Sequence, residues 1–171
     1  FINLREISKK LKYYINSFYC MNIRKFRKED AKKASYMIKK SIEKSLPEVY
    51  NKKVIEFLHK KNTPKEIIKK SKEVDYFVAQ KEDCIIGIVG LKDNELKKFF
   101  VNPRYFRKGI GTKLLQKVEK EAKKRGIKKI KVHGSLFAEK FYKKKRFKEK
   151  KRVKRGPKES QWTDILMEKK I

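Results

Sequence analysis

Apolar residues recur every three or four positions in several parts of the chain, and this spacing predicts amphipathic helices. The two longest series are Ala31, Ala34, Met37, Ile38 and Ile42, and then Leu114, Leu115, Val118 and Ala122. Two shorter helices are predicted between them, over residues 54–59 and 63–72. The second of these begins Thr63-Pro64-Lys65-Glu66, which has the shape of a capping box with proline at the first helical position.

Strands are predicted where a short apolar run is bounded by residues that favour turns. The predicted strands are residues 22–26, 76–79, 84–91, 95–101, 127–132, 147–153 and 161–168. One more short helix is predicted at residues 136–144. Tight turns join the three strands between Tyr76 and Val101, so we expect them to form an antiparallel meander. The chain shows no internal repeat and no second domain.

The size and composition of the chain favour one folded domain. Its 171 residues are enough to bury a substantial core, and 39% of them are hydrophobic, including eleven Phe and eight Tyr. We expect a mixed α+β domain over residues 21–171, with Met21 as a natural start. In residues 1–20 apolar side chains recur at helical spacing, at Leu4, Ile7, Leu11, Ile15 and Phe18. This spacing predicts a basic amphipathic helical extension, which need not be native to the domain.

Two features bear on where the protein resides. No apolar run approaches the roughly 20 residues that a membrane-spanning helix needs, so no transmembrane segment is predicted. Cys20 and Cys84 provide neither a disulfide framework nor metal-ligand spacing. We therefore expect a reduced, cytoplasmic location and no metal site.

The most unusual bulk property of the chain is its formal net charge of +31. Such a surface attracts polyanions, so nonspecific binding to nucleic acid is expected at low salt. The lysines are spread along nearly every segment instead of being confined to one arm. Specific nucleic-acid binding and a lysine-rich bias of the whole proteome are both open as explanations.

The stretch from Phe99 to Leu115 combines a strand end, a basic turn and a helix start. Asn102-Pro103 ends the strand, and the turn Arg107-Lys108-Gly109-Ile110-Gly111-Thr112 opens the helix. Glycines let the backbone approach a ligand closely, and the free amides of the first helical turn favour an anion. A dinucleotide fingerprint fails because its third glycine falls on Leu114, and a Walker loop fails because the order here is Gly-Thr-Lys.

This stretch resembles the acetyl-CoA loop of the GNAT superfamily of N-acetyltransferases, with Gly109 and Gly111 at the family glycines and Phe106 in place of the usual Arg or Gln. A second segment, from Ser135 to Phe147, is similar to the family pattern Asn/Ser-x-x-Ala-x-x-Phe-Tyr-x-x-x-Gly-Phe. It reads Ser-Leu-Phe-Ala-Glu-Lys-Phe-Tyr-Lys-Lys-Lys-Arg-Phe, so that arginine replaces the last glycine. The order of predicted elements over residues 21–171 is also that of the GNAT fold.

The resemblance implies a fold and a ligand. The fold is a central, mostly antiparallel sheet of six to seven strands, flanked by helices, in which two adjacent parallel strands splay apart. Acetyl-CoA would be the cosubstrate. Its binding residues would be Phe99, Phe100, Val101, Phe106, Arg107, Lys108, Gly109, Ile110, Gly111, Thr112, Ser135 and Tyr142.

The resemblance also implies the chemistry, which is transfer of an acetyl group to an amine that attacks the thioester directly. Tyr142 matches the family tyrosine that protonates the departing thiolate. Glu95, His133 and a water relay are the candidates for the general base. The acceptor is open among a protein N-terminus, a lysine side chain, a polyamine and other small amines, and a homodimer is also open. The alternative is a non-catalytic module of the same fold that binds RNA or ribosomes through its basic surface.

Overall fold

One sheet of seven strands organises the computed structural model, which describes residues 21–171; the predicted extension over residues 1–20 lies outside the described residues. The strands are β1 Met21–Lys25, β2 Asp75–Lys81, β3 Cys84–Lys92, β4 Glu95–Val101, β5 Lys129–Ser135, β6 Lys148–Arg155 and β7 Trp162–Lys170. Their order is β1-β2-β3-β4-β5-β7-β6, and every neighbouring pair is antiparallel except β4 and β5. The predicted α+β class and the parallel pair are confirmed.

Five α-helices flank the sheet. They are α1 Ala31–Ser45, α2 Lys52–Lys60, α3 Pro64–Lys70, α4 Ile110–Lys124 and α5 Glu139–Lys144. Short 3-10 turns at residues 28–30, 103–105, 136–138 and 158–160 complete the connections. Within residues 21–171, no helix combines the length and apolar character needed to cross a membrane.

Each face of the sheet carries its own core. Alternate side chains of β2 and β3 point to opposite faces, so Val78 and Ile88 pack under α1–α3 while Phe77 and Val89 pack under α4 and α5. The apolar series predicted for α1 and α4 are the buried faces of those helices. Strands β2 and β3 therefore have a buried face on each side of the sheet.

Local capping explains where several elements begin and end. The Thr63 hydroxyl accepts a hydrogen bond from the Glu66 N–H at 3.3 Å, as the capping pattern predicts. After helix α4 ends at Lys124, Gly126 adopts a left-handed φ of +71°, and the Ile127 N–H donates to the Ala122 carbonyl at 3.0 Å. Because this cap uses the Ile127 amide, β5 begins at Lys129, two residues later than predicted, and it continues to Ser135.

A β-bulge in β4 separates it from β5. Ile88 of β3 pairs with Phe100, but Gly90 pairs with Lys97, so β4 has one extra residue there, and Lys98 has a φ of +47°. A bulge bends its strand and interrupts the ladder. The pairing of β4 with β5 is accordingly limited to two positions, Glu95 with Lys131 and Leu96 with Val132. Beyond them the edge of β4 that faces β5 has no ladder partner within residues 21–171.

Candidate active site between two parting strands

A cavity of about 890 Å³ lies where β4 and β5 diverge. Its walls come from the end of β4, the loop before α4, the segment that joins β5 to α5, and the last turns of α1. Eleven of the twelve residues predicted to bind the cosubstrate line it. The twelfth, Lys108, instead places its Nζ 5.3 Å from the centre of the Tyr105 ring. Two motifs from different parts of the sequence therefore meet at one site.

The loop before α4 presents unpaired amides to this cavity. Gly109 has a φ of +80°, a conformation that side chains disfavour, and it is the N-cap of α4. The first hydrogen bond of the helix runs from the Lys113 N–H to the Gly109 carbonyl at 3.0 Å, so the amides of residues 109–112 precede the helical ladder. These amides, the helix dipole and the adjacent Arg107 favour an anionic group.

Further lysines surround the same mouth of the cavity. Lys140, Lys144 and Lys145 line it from α5 and the turn that follows. Phe106 and the exposed Phe137 also line it, and their ring centres are 6.1 Å apart. The family usually has Arg or Gln at the position of Phe106. In this chain Phe106 forms an aromatic pair with Phe137, and the cationic groups at the mouth come from other residues, including these three lysines.

Tyr142 lies at the inner end of the cavity, and 4% of it is exposed. Its ring packs against Phe99, Phe141 and Phe147, with ring centres 5.3–6.2 Å apart. Gly134 of β5 makes room for this ring, because a Cβ there would lie 2.8 Å from the Tyr142 Cε2 atom. The position of the tyrosine is thus fixed by contacts from two strands, from Phe147 just before β6, and from its own helix.

The electrostatics of this position keep Tyr142 neutral. Burial raises its pKa well above the usual value of a phenol, and the nearby charge of the Asp164 carboxylate raises it further. Tyr142 therefore carries its proton throughout the physiological range. A neutral phenol can donate a hydrogen bond or a proton to a group that develops negative charge in the cavity.

Asp164 is a functional candidate that the sequence analysis did not single out. It lies on β7 opposite Ser135, is 7% exposed, and accepts a hydrogen bond of 2.8 Å from the Tyr50 hydroxyl. Arg155 Nε lies 3.7 Å from its other oxygen. Burial raises the pKa of Asp164 despite these partners. The only available signal was an acidic residue at an inner position of a predicted strand, because its partner Tyr50 is far away in sequence.

Glu95 and His133 form a pair outside the cavity lining. The Nδ1 atom of His133 is 2.9 Å from Glu95 Oε1, which also accepts from Lys97 Nζ at 2.6 Å. Burial alone would raise the pKa of Glu95, but the hydrogen bonds from Lys97 and His133 outweigh it and hold this pKa below the usual value. The pair lies where β4 and β5 are still hydrogen-bonded, so both groups already have partners.

Ser135 and α1 supply the remaining polar groups of the cavity. Ser135 precedes the 3-10 turn at residues 136–138, but its side chain makes no capping hydrogen bond. Ser41 and Ser45 line the cavity from α1, and the buried Ser45 Oγ has no hydrogen-bond partner within residues 21–171. Across that same part of the chain, no group of three or more His, Cys, Asp or Glu side chains is arranged to hold a metal ion.

Comparison with protein families agrees with this geometry. The family model described as "Acetyltransferase (GNAT) domain" matches residues 31–168. The match spans most of the chain, so the protein belongs to the GNAT acetyltransferase family. A search of the curated proteins found no significant match.

Solved structures show the same fold. A GCN5-related N-acetyltransferase from Rhodopseudomonas palustris is 22% identical with a TM-score of 0.82, covering 88% of this chain and 95% of that one. The PaiA N-acetyltransferase from Thermoplasma acidophilum, in complex with coenzyme A, is 26% identical with a TM-score of 0.74, covering 88% and 99%. The ribosomal-protein-S18-alanine N-acetyltransferase from Escherichia coli is 17% identical with a TM-score of 0.65, covering 88% and 94%.

Proposed function

We propose that this protein transfers an acetyl group from acetyl-CoA to an amine. The observation that carries the proposal is the cavity between β4 and β5, which joins an anion-binding loop to the buried Tyr142 hydroxyl along an unpaired strand edge. The anion-binding loop suits the pyrophosphate of acetyl-CoA, and the strand edge suits its extended, amide-bearing arm. The Tyr142 hydroxyl can protonate the thiolate as it departs. The coenzyme A complex of the PaiA relative is consistent with this use.

Each part of acetyl-CoA has a matching set of residues. The free amides of residues 109–112, beside Arg107, would hold the pyrophosphate, with Lys140 and Lys144 available to further phosphate oxygens. The unpaired backbone of β4 near Phe100 and Val101 would bind the pantetheine arm as an added strand binds a sheet edge. The Ser135 hydroxyl, which is not used as a helix cap, would hydrogen-bond the same arm.

Acetyl-CoA supplies an activated acetyl thioester, and the neutral amine nitrogen attacks its carbonyl carbon. As the carbon–sulfur bond breaks, Tyr142 donates its proton to the sulfur and so prevents a free thiolate from accumulating. The nitrogen, positively charged after attack, loses one proton and leaves a neutral amide. The proton count balances, because Tyr142 is reprotonated when the amide nitrogen releases its proton to water or to a base.

The route of that last proton remains a prediction. Glu95 and His133 are still candidates, but both lie outside the cavity lining and are paired with each other. We propose that water carries the proton from the amide nitrogen, passing the side where Ser41 and Ser45 face the cavity. The acceptor amine is proposed only as a class, which includes protein N-termini, lysine side chains, polyamines and small amines.

Titration calorimetry tests the cosubstrate. The full chain is titrated with acetyl-CoA, and with ATP as the control polyanion, at about 0.3 M salt, where the screening length is below about 8 Å. We expect one-to-one binding of acetyl-CoA and much weaker binding of ATP. The proposal is rejected if acetyl-CoA and ATP bind equally well, or if salt abolishes the binding of both. Either result would mean that the loop attracts any polyanion through its positive charge.

Replacing Tyr142 tests the chemistry. Release of the CoA thiol is followed with a panel of primary amines from the four acceptor classes. Tyr142→Phe removes only the hydroxyl, so we expect transfer to slow by about 10²–10⁴-fold while acetyl-CoA affinity changes little. The non-catalytic alternative predicts that no amine yields CoA and that Tyr142→Phe changes nothing measurable.

A further inference from the structure

A second cavity, of about 440 Å³, opens on the face of the sheet opposite α4. Six cationic side chains from α3, β3, β4, β5 and β6 line it, and so do three carboxylates. The cations are Lys70, Lys92, Lys97, Lys98, Lys131 and Arg155. We call this cavity the basic groove. It shares no lining residue with the cavity that holds Tyr142.

Positive charge in the basic groove exceeds what its own carboxylates neutralise. Glu73 is paired with Lys92 at 2.7 Å, and Glu95 is paired with Lys97 at 2.6 Å. Lys70 and Lys131 make no ion pair within residues 21–171. Burial lowers the pKa of Lys98 to about 7, and the charge of Lys70 contributes to this shift although Glu66 opposes it.

The basic groove continues onto an uncovered part of the sheet. Ile130 and Val132 of β5 face the core under α4, so Lys129 and Lys131 point to the opposite face. On β6, Lys148 and Lys151 pair with Glu168 and Leu166 of β7 and share that face. Lys129, Lys148 and Lys151 are exposed, so no helix of the described residues covers them.

We infer that the basic groove and the adjoining face of β5, β7 and β6 bind the phosphodiester backbone of a nucleic-acid duplex. Lysine and arginine side chains from several strands form a surface for closely spaced phosphates, whose binding is electrostatic and independent of sequence. A single strand would be held by exposed aromatic rings, but on this face Tyr76 is 4% exposed and Trp162 packs against Tyr50 and Phe57. A protein partner would need exposed apolar anchors at its centre, but the large hydrophobic side chains exposed within residues 21–171 are Tyr36 and Phe137, and neither lines the groove.

The basic groove lies close to the proposed acetyltransferase site, but binding in the groove does not require activity at that site. Lys131 and Ser135 lie on the same face of β5, four residues and roughly 13 Å apart. A duplex in the basic groove would therefore lie beside the cavity and outside the anion-binding loop. The inference concerns binding alone and stands whether or not the chain transfers acetyl groups.

Fluorescence anisotropy with a labelled duplex of about 20 base pairs tests the inference, using the full chain at several salt concentrations. RNA and DNA duplexes of the same sequence are the two arms, and the tighter one identifies the partner. The groove variant combines Lys70→Gln, Lys131→Gln and Lys151→Gln. The control variant combines Lys33→Gln, Lys120→Gln and Lys124→Gln on exposed helical surfaces, so both variants have the same net charge.

We expect the groove variant to lose more than the control. If each groove lysine contacts one phosphate, the slope of log affinity against log salt falls by about 0.9 per lysine, or about 2.7 for the set. The control should change the slope by less than about one unit. Unchanged thermal melting of both variants shows that the fold is intact.

Three results would overturn the inference. Equal losses in both variants would mean that only the overall charge attracts the duplex. Competition by polyglutamate as effective as that by unlabelled duplex would assign the groove to an acidic protein segment. Displacement of the duplex by CoA would place it at the loop before α4.

Discussion

Strands β4 and β5 are one parallel pair with two different halves. In the first half the strands are in register, and Glu95, His133 and Lys97 satisfy one another across them. In the second half the strands part, the edge of β4 has no ladder partner within residues 21–171, and the buried Tyr142 faces a cavity. Groups that have partners stabilise the fold, whereas groups left without them are available to a ligand. We call the first region, where the strands are in register, the closed half, and the second region, where they part, the open half.

The largest effect is expected from filling the open half. Gly134→Val would place its Cβ against the Tyr142 ring, at 2.8 Å from Cε2. The ring must move, so we expect acetyl transfer to fall at least as far as in Tyr142→Phe, about 10²–10⁴-fold, and stability to fall by about 1–3 kcal/mol. Transfer assays and thermal melting measure the two effects. A folded variant with full activity would show that the ring position is not important.

The junction of the two halves should show a pH dependence. Burial and Lys70 lower the pKa of Lys98 to about 7, against about 10.4 in the unfolded chain. Between these values the folded state binds fewer protons than the unfolded state, so this group makes the protein more stable as pH rises. Relative to Lys98→Met, the wild type should gain up to about 1.4 kcal/mol per pH unit from about pH 7 upward.

Urea unfolding of both proteins at pH 7, 8 and 9 measures this difference. The many exposed lysines cancel, because they are the same in the two proteins. A difference that stays constant, or that shrinks as pH rises, would show that Lys98 remains fully charged when the protein is folded. It would also show that burial does not lower the pKa of this side chain.

Neutralising the closed half should cost modest stability and little activity. The pKa of Glu95 is held below its usual value, so its charge stabilises the fold above about pH 4.3, and this contribution is lost as pH falls. We expect Glu95→Gln to lose about 1 kcal/mol at pH 7, with the deficit vanishing in acid. Transfer should fall by less than about tenfold. A loss of about 10²–10⁴-fold would instead identify Glu95 as the base.

The smallest effect is expected at the mouth of the open half. Phe106→Arg restores the residue type that the family usually has, in a loop that already has free amides and nearby lysines. We expect acetyl-CoA affinity to change by less than about tenfold and to become more sensitive to salt, because an exposed charge is added. Calorimetry at two salt concentrations checks both. An increase of about a hundredfold would show that the aromatic pair is a serious defect of the loop.

Local patterns predicted the parts of this molecule that local physics determines. The capping pattern at Thr63, the stop at Gly126 and the loop at Gly109 each require particular residues at particular positions, so the sequence shows them. The apolar series of α1 and α4 likewise gave their buried faces. Motifs in separate stretches gave most of the cavity lining, because each motif forms one wall.

Features that depend on distant contacts were not predictable in the same way. Lys98 carries no sequence signal for a bulge, and its left-handed conformation is imposed by the pairing of β4 with β3. Asp164 reads as an ordinary acid until Tyr50, from another element, donates to it in the folded chain. The exact start of β5 depended on a cap that used the Ile127 amide.

The short register between β4 and β5 also has a consequence for the amount of folded protein. Within residues 21–171 the sheet has two parts, β1 to β4 and β5 to β7, which meet only between β4 and β5. They are joined there by two residue pairs and by a hydrogen bond from the Lys131 N–H to the Asn94 carbonyl. A molecule that bridges this seam would act as a clamp, and at a hundred times its dissociation constant it would add about 2.7 kcal/mol to the free energy of unfolding. If that molecule is acetyl-CoA, the supply of this metabolite would help to set how long each copy of the protein survives proteolysis.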